Sequence, residues 1–236
     1  MKGIRDLKST QIRIFPIDEI GFNSLQRSNA KKQIQEKYKL QPSTQMFFES
    51  VPGESHKMTF VNGEFFYEGE MVLIDRLSIE ERRIIICMSS SSNMVSLMFE
   101  DLRKLLIDLD LRDTKSNYKP IVIAQETSCV AKLDFSFTDL FKNTVIADFN
   151  SYISKNIKLH GCETEIIPSA IRFKICYIKQ PESFIKHKIT LSEKDFILEI
   201  RDRTAYEDNL YYTFSPTDSE THIKLLIELE KRLVIK

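Results

Sequence analysis

Two stretches of this chain, at 15–22 and 135–142, carry nearly the same pattern of side chains. FPIDEIGF and FSFTDLFK each begin with Phe, place a second apolar residue two positions later, and continue with an acid followed by Ile or Leu. A segment with apolar residues at close to helical spacing follows each stretch, at 24–41 and 143–161, and this spacing predicts a helix. The repetition constrains the fold strongly, because it predicts that one structural unit occurs twice.

Each half of the chain continues with apolar runs that are typical of β-strands. Asn62-Gly63 lies between two such runs, and this pair is a strong signal for a two-residue hairpin turn. A weaker turn signal, at 192–195, occupies the matching place in the second half. The predicted strands lie within 43–50, 56–69, 70–77 and 82–89 in the first half and within 169–178, 186–202 and 209–215 in the second.

A helix is predicted to close each half, at 93–109 and at 216–234. Ser215 followed by Pro216 is a favourable helix start, because serine caps the first free amides and proline has no amide to satisfy. Apolar residues recur along both helices at helical spacing, so one face of each should meet the core. The predicted core residues are Leu97, Leu102, Leu105 and Leu109 on the first helix and Ile223, Leu226, Leu229 and Leu233 on the second.

The sequence therefore predicts an α+β fold built by tandem duplication of one unit. Each unit runs strand, helix, three or four antiparallel strands, helix, with its helices packed on one face of the sheet. The predicted units are 9–111 and 119–236, and the polar segment 112–120 joins them. This order of elements resembles the saddle of the TATA-binding protein, and that resemblance of topology implies nucleic-acid binding as an alternative function.

Composition and charge disfavour several classes of protein. With 42% hydrophobic and 29% charged residues, the chain has enough apolar side chains for a normal core. Lys plus Arg and Asp plus Glu number 34 each, and this zero net charge disfavours a dedicated nucleic-acid binder, which uses a basic excess for phosphate contacts. The first residues show no secretory signal, and no apolar stretch is long enough to span a bilayer. We therefore expect a soluble, cytoplasmic protein without membrane contact.

The four cysteines fall in separate segments, at Cys87, Cys129, Cys162 and Cys176. They form neither the short pairs of zinc sites nor the regular spacing of disulfide scaffolds, so we expect reduced, mostly buried thiols. A nucleophilic Cys paired with His stays open, because such residues meet only in the fold.

One acidic cluster has a spacing that suits a divalent cation. Asp108, Asp110 and Asp113 offer three carboxylates, but the glycine and terminal Glu of a calcium-binding loop are missing. A solvated helix end is therefore the favoured interpretation, and no metal site or cofactor is predicted. Four further carboxylates, in two D-R-x-x-x-E motifs, are expected in exposed turns: Asp75, Glu80, Asp202 and Glu207.

Basic and aromatic residues of the first half give the predicted binding surface. The helix at 24–41 carries several cations, and the run at 56–69 carries adjacent aromatic residues, one of which should point outward. The predicted surface residues are Arg27, Lys31, Lys32, Phe66 and Tyr67.

The leading interpretation is a non-catalytic intracellular binding or regulatory protein that uses a sheet face or the cleft between the two repeats. Its expected partner is a protein; nucleic acid is the alternative partner, and the net charge disfavours it. Two other functions stay open: a saddle-type nucleic-acid-binding protein and a small hydrolase with its site at the repeat junction. We expect no enzymatic activity, because the candidate acids, bases and nucleophiles are dispersed along the chain.

Overall fold

The computed structural model describes residues 1–27, 29–43, 57–112, 116–137, 148, 151–152, 169–176, 181–189 and 192–234. The predicted strand at 43–50 and the predicted helix at 143–161 therefore fall almost entirely outside the described residues.

Nine described strands form one antiparallel sheet. They are β1 (Gly3–Ile14), β2 (Gln41–Pro42), β3 (Lys57–Tyr67), β4 (Glu70–Glu80), β5 (Arg83–Met88), β6 (Val122–Lys132), β7 (Ala170–Ile175), β8 (Lys194–Ile200) and β9 (Leu210–Ser215). Their order across the sheet is β2-β3-β4-β5-β1-β6-β9-β8-β7. Every pairing in this order is antiparallel.

Five α-helices accompany the sheet in the described part of the chain. They are α1 (Phe22–Arg27), α2 (Ala30–Tyr38), α3 (Ser92–Leu109), α4 (Glu182–Lys186) and α5 (Ser219–Val234). The long helix α3 lies against β1 and β5, α2 packs on β3 and α3, and α5 packs on β6 and α3. The two long helices therefore meet each other above the centre of the sheet.

The predicted fold, a tandem duplication of a unit with its own sheet and helices, is wrong. β1 and β6, near the starts of the two expected units, pair with each other, from Gly3 with Lys132 to Ile14 with Val122. Within the described residues, one sheet of nine strands results, and the helices are not arranged as two repeated sets. The reason is that alternating apolar residues decide which face of a strand is buried, but not which strand lies beside it. The unit bounds 9–111 and 119–236 stay a prediction.

The β3–β4 hairpin turns at Glu68-Gly69, so the prediction of a turn at Asn62-Gly63 is wrong. β3 continues through Asn62, which has a φ of 54° inside the strand. Glu68 and Gly69 have φ values of 49° and 87°, and the residues on either side of them pair across the hairpin. Two successive positive φ values are typical of the turn that best matches the twist of paired strands.

Gly63 is required for packing, although it makes no turn. A Cβ atom there would clash with the side chain of Leu40 and would lie 2.8 Å from the carbonyl oxygen of Tyr38. Both residues lie at the end of α2, so this glycine lets the helix end approach the strand closely.

Two clusters of buried apolar side chains lie between the sheet and the helices. The larger includes Phe60, Leu77 and Leu102, and the smaller includes Tyr211 and Leu226. Among the predicted core residues, Leu102, Leu109 and Leu226 are buried, Leu97, Leu105, Ile223 and Leu229 are partly buried, and the side chain of Leu233 lies outside the described residues.

Candidate binding face

Three large apolar side chains are exposed side by side on the β3–β4 hairpin. Phe66 pairs with Met71 across the hairpin, and Leu73 follows Met71 two residues along β4, so all three point to the same side of the sheet. Their exposed fractions are 57%, 50% and 52%, respectively. We call these three residues the hairpin face.

The alternate residues of the same two strands anchor the hairpin from the other side. Phe65 is buried and Val72 packs against the larger apolar cluster. The ring of Phe65 lies 6.5 Å from that of Tyr38, whose hydroxyl donates a hydrogen bond to Asp101 at 2.8 Å. Burial and the bond with Asp101 raise the pKa of Tyr38 far above its ordinary value, so this phenol stays neutral. The packed side chains behind the hairpin therefore hold the hairpin face in place.

Ion pairs border the hairpin face. Nζ of Lys39 lies 2.5 Å from Oε2 of Glu64 and 5.2 Å from the centre of the Phe66 ring. At the inner end of the face, Nζ of Lys8 lies 3.1 Å from a carboxylate oxygen of Asp75. Each of these lysines already has a carboxylate partner, which lowers its attraction for a phosphate.

Asp75 sits at an irregularity where β4 shifts register against β5, between Ile74 and Arg76. The hydroxyl of Ser89 donates to this carboxylate at 3.1 Å, and Sγ of Cys87 lies 3.8 Å from it. Burial, and to a smaller extent the negative charge of Asp75, raise the pKa of Cys87. Cys87 is therefore a neutral thiol, and this polar group suits hydrogen bonding better than nucleophilic chemistry.

The turn at the end of the hairpin carries two exposed carboxylates, those of Glu68 and Glu70. A hydrogen bond to Glu68 and the nearness of its charge raise the pKa of Tyr67, so the phenol keeps its proton.

The predicted surface residues fall on different sides of the sheet. Phe66 belongs to the hairpin face, whereas Tyr67 points to the other side and packs against the larger apolar cluster. Lys31 and Lys32 lie on α2, which packs on β3 from that same buried side. Arg27 is the last residue of α1, and its side chain lies outside the described residues.

Sequence reasoning missed Met71 and Leu73, the other two residues of the hairpin face. The run at 70–77 is correctly predicted as a strand, but the sequence predicts the hairpin turn at Asn62-Gly63 instead of between this strand and β3. Glu68-Gly69 is the sequence signal that identifies these two residues, because a turn there places Met71 directly opposite Phe66.

Asp110, from the predicted acidic cluster, is buried and ion-paired, so the prediction of a solvated helix end is wrong there. Nε and Nη2 of Arg112 donate to its carboxylate at 2.9 and 2.6 Å, and the Tyr118 hydroxyl donates at 3.4 Å. Burial by itself would raise the pKa of Asp110, but the bonds from Arg112 outweigh it and hold the pKa below its ordinary value. Asp108 is exposed, and Asp113 lies outside the described residues.

Arg112 contributes to the lining of two open clefts, of 720 and 1010 Å³. Its Nη1 and Nη2 donate to the carbonyl oxygens of Asp18 at 2.6 Å and Glu19 at 2.9 Å, in addition to the bonds with Asp110. The guanidinium is thus used to hold loops together, and it has little capacity left for a ligand.

The four carboxylates of the D-R-x-x-x-E motifs do not share one environment. Asp75 and Glu80 lie within β4 and are partly buried, so the prediction of exposed turns is wrong for them. Asp202 and Glu207 are exposed as predicted.

The sequence leaves open whether a cysteine lies beside a histidine in the fold. The structure places Cys129 beside His222. Sγ of Cys129 lies 3.6 Å from Nε2 of His222. The imidazole also contacts the hydroxyl of Thr213 at 2.8 Å through Nε2 and that of Ser215 at 2.7 Å through Nδ1. Burial lowers the pKa of His222 to about 4 and raises the pKa of Cys129. Both groups are neutral and inaccessible, so the pair is not arranged as a thiolate with an imidazolium.

The first residues of the two long helices are joined next to this histidine. The backbone N–H of Ser92 donates to Oγ of Ser219 at 3.1 Å, and the N–H of Ser219 donates to Oγ of Ser92 at 3.1 Å. The two hydroxyls lie 3.0 Å apart. Each serine therefore satisfies an amide of the other helix, which would otherwise have no intrahelical partner. We call the buried residues Ser92, Thr213, Ser215, Ser219 and His222 the polar seam.

Comparison with known proteins gives no match: no protein-family model, no curated protein and no solved structure corresponds to this chain. Within the described ranges, no three His, Cys, Asp or Glu side chains are grouped so that they could hold a metal ion. None of the described helices is both long and apolar enough to cross a membrane.

Proposed function

We propose that this protein is a non-catalytic binding protein that holds a partner protein against the hairpin face. The observation that carries the proposal is the exposure, side by side, of Phe66, Met71 and Leu73 on a hairpin whose other side is packed. Adjacent exposed apolar side chains are typical of interaction sites, and aromatic residues and methionine are enriched at protein interfaces. We propose the cytoplasm as the compartment, because the cysteines are dispersed along the chain and lack the regular spacing of a disulfide scaffold.

The size of the hairpin face suits the centre of an interface. Covering the exposed halves of three such side chains would contribute about 2–4 kcal/mol. That is too little for a stable complex once the cost of association is included, so the polar border must also contact the partner. The ion pairs Lys39–Glu64 and Lys8–Asp75, on either side of the face, suit that border.

The two alternative functions have less support. The saddle-type nucleic-acid binder was suggested by the two-unit topology, and the single nine-stranded sheet replaces that topology. In addition, Lys8 and Lys39 beside the hairpin face are already paired with carboxylates. On α2, Lys32 lies 3.6 Å from Glu36. For a hydrolase, the Cys129–His222 pair is buried, and a cleft between two repeats is no longer part of the fold.

A photo-crosslinking experiment tests the proposal. Leu73 is replaced by a photoreactive amino acid in the full chain, and the protein is irradiated in an extract of its source cells. The matched control carries the same group at Leu225, which is also exposed but lies on α5, on the other side of the sheet. A third sample adds Phe66→Ser to the Leu73 probe.

We expect one defined protein adduct from position 73, which is absent from position 225 and is lost when Phe66 is changed to Ser. Identical adducts from both positions, or an adduct that survives Phe66→Ser, would contradict the proposal. A nucleic-acid adduct from position 73 would also overturn it, in favour of the nucleic-acid alternative.

A further inference from the structure

We infer that the partner at the hairpin face adds an extended segment of its chain to the outer edge of β3, as an additional strand of the sheet. This inference rests on the proposed function and specifies how the partner binds. β2 pairs with β3 only at Phe60 and Val61. From Glu64 to Tyr67, β3 has no strand on its outer side within the described residues. An edge of this kind can pair with a strand of another chain.

The backbone direction along this edge follows from β4, which lies between β3 and β5. The carbonyl oxygen of Leu73 accepts a hydrogen bond at 3.1 Å from the N–H of Ser89, which directly follows β5. In an antiparallel pair, the N–H and C=O of one residue point to the same side, and this side alternates along the strand. Leu73 therefore does not bond to Glu64, the residue opposite it, so the N–H and C=O of Glu64 and of Phe66 point to the outer edge.

These outward backbone groups need partners from another segment. Among the described residues, none forms a hydrogen bond with the N–H or C=O of Glu64 or Phe66. The chain itself joins β3 at Val61 and then runs past Thr59, in the direction away from Tyr67. An extended segment presents donors and acceptors at the required two-residue spacing, whereas a helix uses its own backbone groups internally. The edge therefore favours an extended segment over a helical one.

A groove of 490 Å³ lies along the same edge. Residues 64–67 all line it, although their side chains alternate between the two sides of the sheet, so the groove follows the edge of the strand itself. Its other wall comes from α2 and α3, where Lys37 is already ion-paired with Asp101 at 2.7 Å. A strand bound there would place alternate side chains against Phe66 and beside Leu97 of α3. We therefore expect apolar residues at successive positions of the partner segment.

Removal of one outward N–H tests the inference. Proline lacks this group and is tolerated on an edge strand, where the lost N–H makes no bond within the sheet. Glu64→Pro is combined with the photoreactive group at Leu73 in the full chain, and adducts are collected in an extract of the source cells. Glu64→Ala is the matched control, because it removes the same side chain and its ion pair with Lys39 but keeps the N–H. Urea denaturation checks that both variants fold.

We expect Glu64→Pro to lower the yield of the protein adduct by about tenfold or more, and Glu64→Ala to keep it within about twofold. Equal yields in the two variants, whether high or low, would overturn the inference and leave the proposed function intact. An adduct made of two copies of this chain would also overturn it, in favour of self-association. Absence of an adduct from position 73 in the otherwise natural chain would count against the proposed function itself.

A second pair of probes does not depend on proline. The photoreactive group replaces Lys104, an exposed residue of α3 that lines the groove from the helix side of the sheet. The control position is Asn93, which is exposed on the same helix but does not line the groove. We expect position 104 to capture the same protein as position 73, and position 93 to capture none of it, because a strand on the edge is within reach from both sides of the sheet. Capture from position 73 alone would show that the partner covers only the hairpin face and would overturn the inference.

Discussion

The hairpin face and the polar seam lie on opposite sides of the same sheet, and their side chains are in opposite environments. In the polar seam, hydroxyls, an imidazole and helix-end amides are buried and satisfied by one another. On the hairpin face, apolar side chains are left about half exposed on a hairpin that is packed only from behind. In the polar seam, residue types that are usually associated with catalysis therefore hold the helices on the sheet, whereas the hairpin face exposes side chains without reactive groups. In this protein, exposure identifies the candidate site better than chemical reactivity does.

The largest expected effect is the replacement of His222, the centre of the polar seam. We expect His222→Ala to lower the free energy of unfolding by about 3–5 kcal/mol, because it leaves a cavity and removes one hydrogen-bond partner from each of two buried hydroxyls. Urea denaturation measures the loss. His187→Ala is the matched control, since that ring is only partly buried, and it should change stability little. Similar losses in both variants would contradict the structural role assigned to the seam.

Acid should weaken the seam as well. His222 has a folded-state pKa of about 4, below its ordinary value of 6.5. Between these pH values the unfolded chain binds a proton that the folded chain does not, so stability is fully present above pH 6.5 and falls as the pH drops toward 4. The expected loss from this group is about 3 kcal/mol.

The measurement compares urea denaturation at several pH values for the natural protein and for His222→Gln. Because other groups titrate in both proteins, the difference between the two curves isolates His222. The groups that face the imidazole are the uncharged Thr213, Ser215 and Cys129, with the Phe196 ring centre 6.4 Å away. Parallel curves would show that protonation of this histidine does not matter.

The reciprocal serine bonds should give a smaller and non-additive effect. Ser92→Ala and Ser219→Ala are each expected to cost about 1–2 kcal/mol, because each leaves a buried amide of the other helix without its acceptor. The double variant should cost less than both single losses added, because the two single losses both contain the hydroxyl–hydroxyl contact. Ser169→Ala, at an exposed position, is the control. Strict additivity would mean that the two serines act independently.

The smallest stability effect is expected on the hairpin face. Phe66→Ser, Met71→Ser and Leu73→Ser should each lower the free energy of unfolding by about 1 kcal/mol, because only about half of each side chain is buried. Phe66→Ser and Met71→Ser should nevertheless abolish the crosslink from position 73. A stability loss as large as that of His222→Ala would mean that the face is part of the core, and the contrast with the seam would disappear.

Local pattern in the sequence was enough to predict the long elements. Period-two and helical spacing located the strands at 70–77, 82–89 and 209–215 and the two long helices, and they identified Leu102 and Leu226 as buried. The alternation of side chains along a strand also implied that one of two adjacent aromatics must point outward, which Phe66 does. These properties depend only on neighbouring residues, so a sequence contains them directly.

Long-range pairing was decided only by the tertiary structure. The antiparallel contact of β1 with β6 turns the expected pair of units into one sheet, and the same alternating pattern would suit either arrangement. Asp110 is buried because Arg112 and Tyr118 satisfy it, and His222 is neutral because the fold surrounds it with hydroxyls and a thiol. The hairpin face likewise exists only because the turn at Glu68-Gly69 sets Met71 opposite Phe66. Spacing along the chain specifies which way a side chain points, whereas its partners come from segments far away in sequence, and those partners determine its charge, its burial and its availability to a ligand.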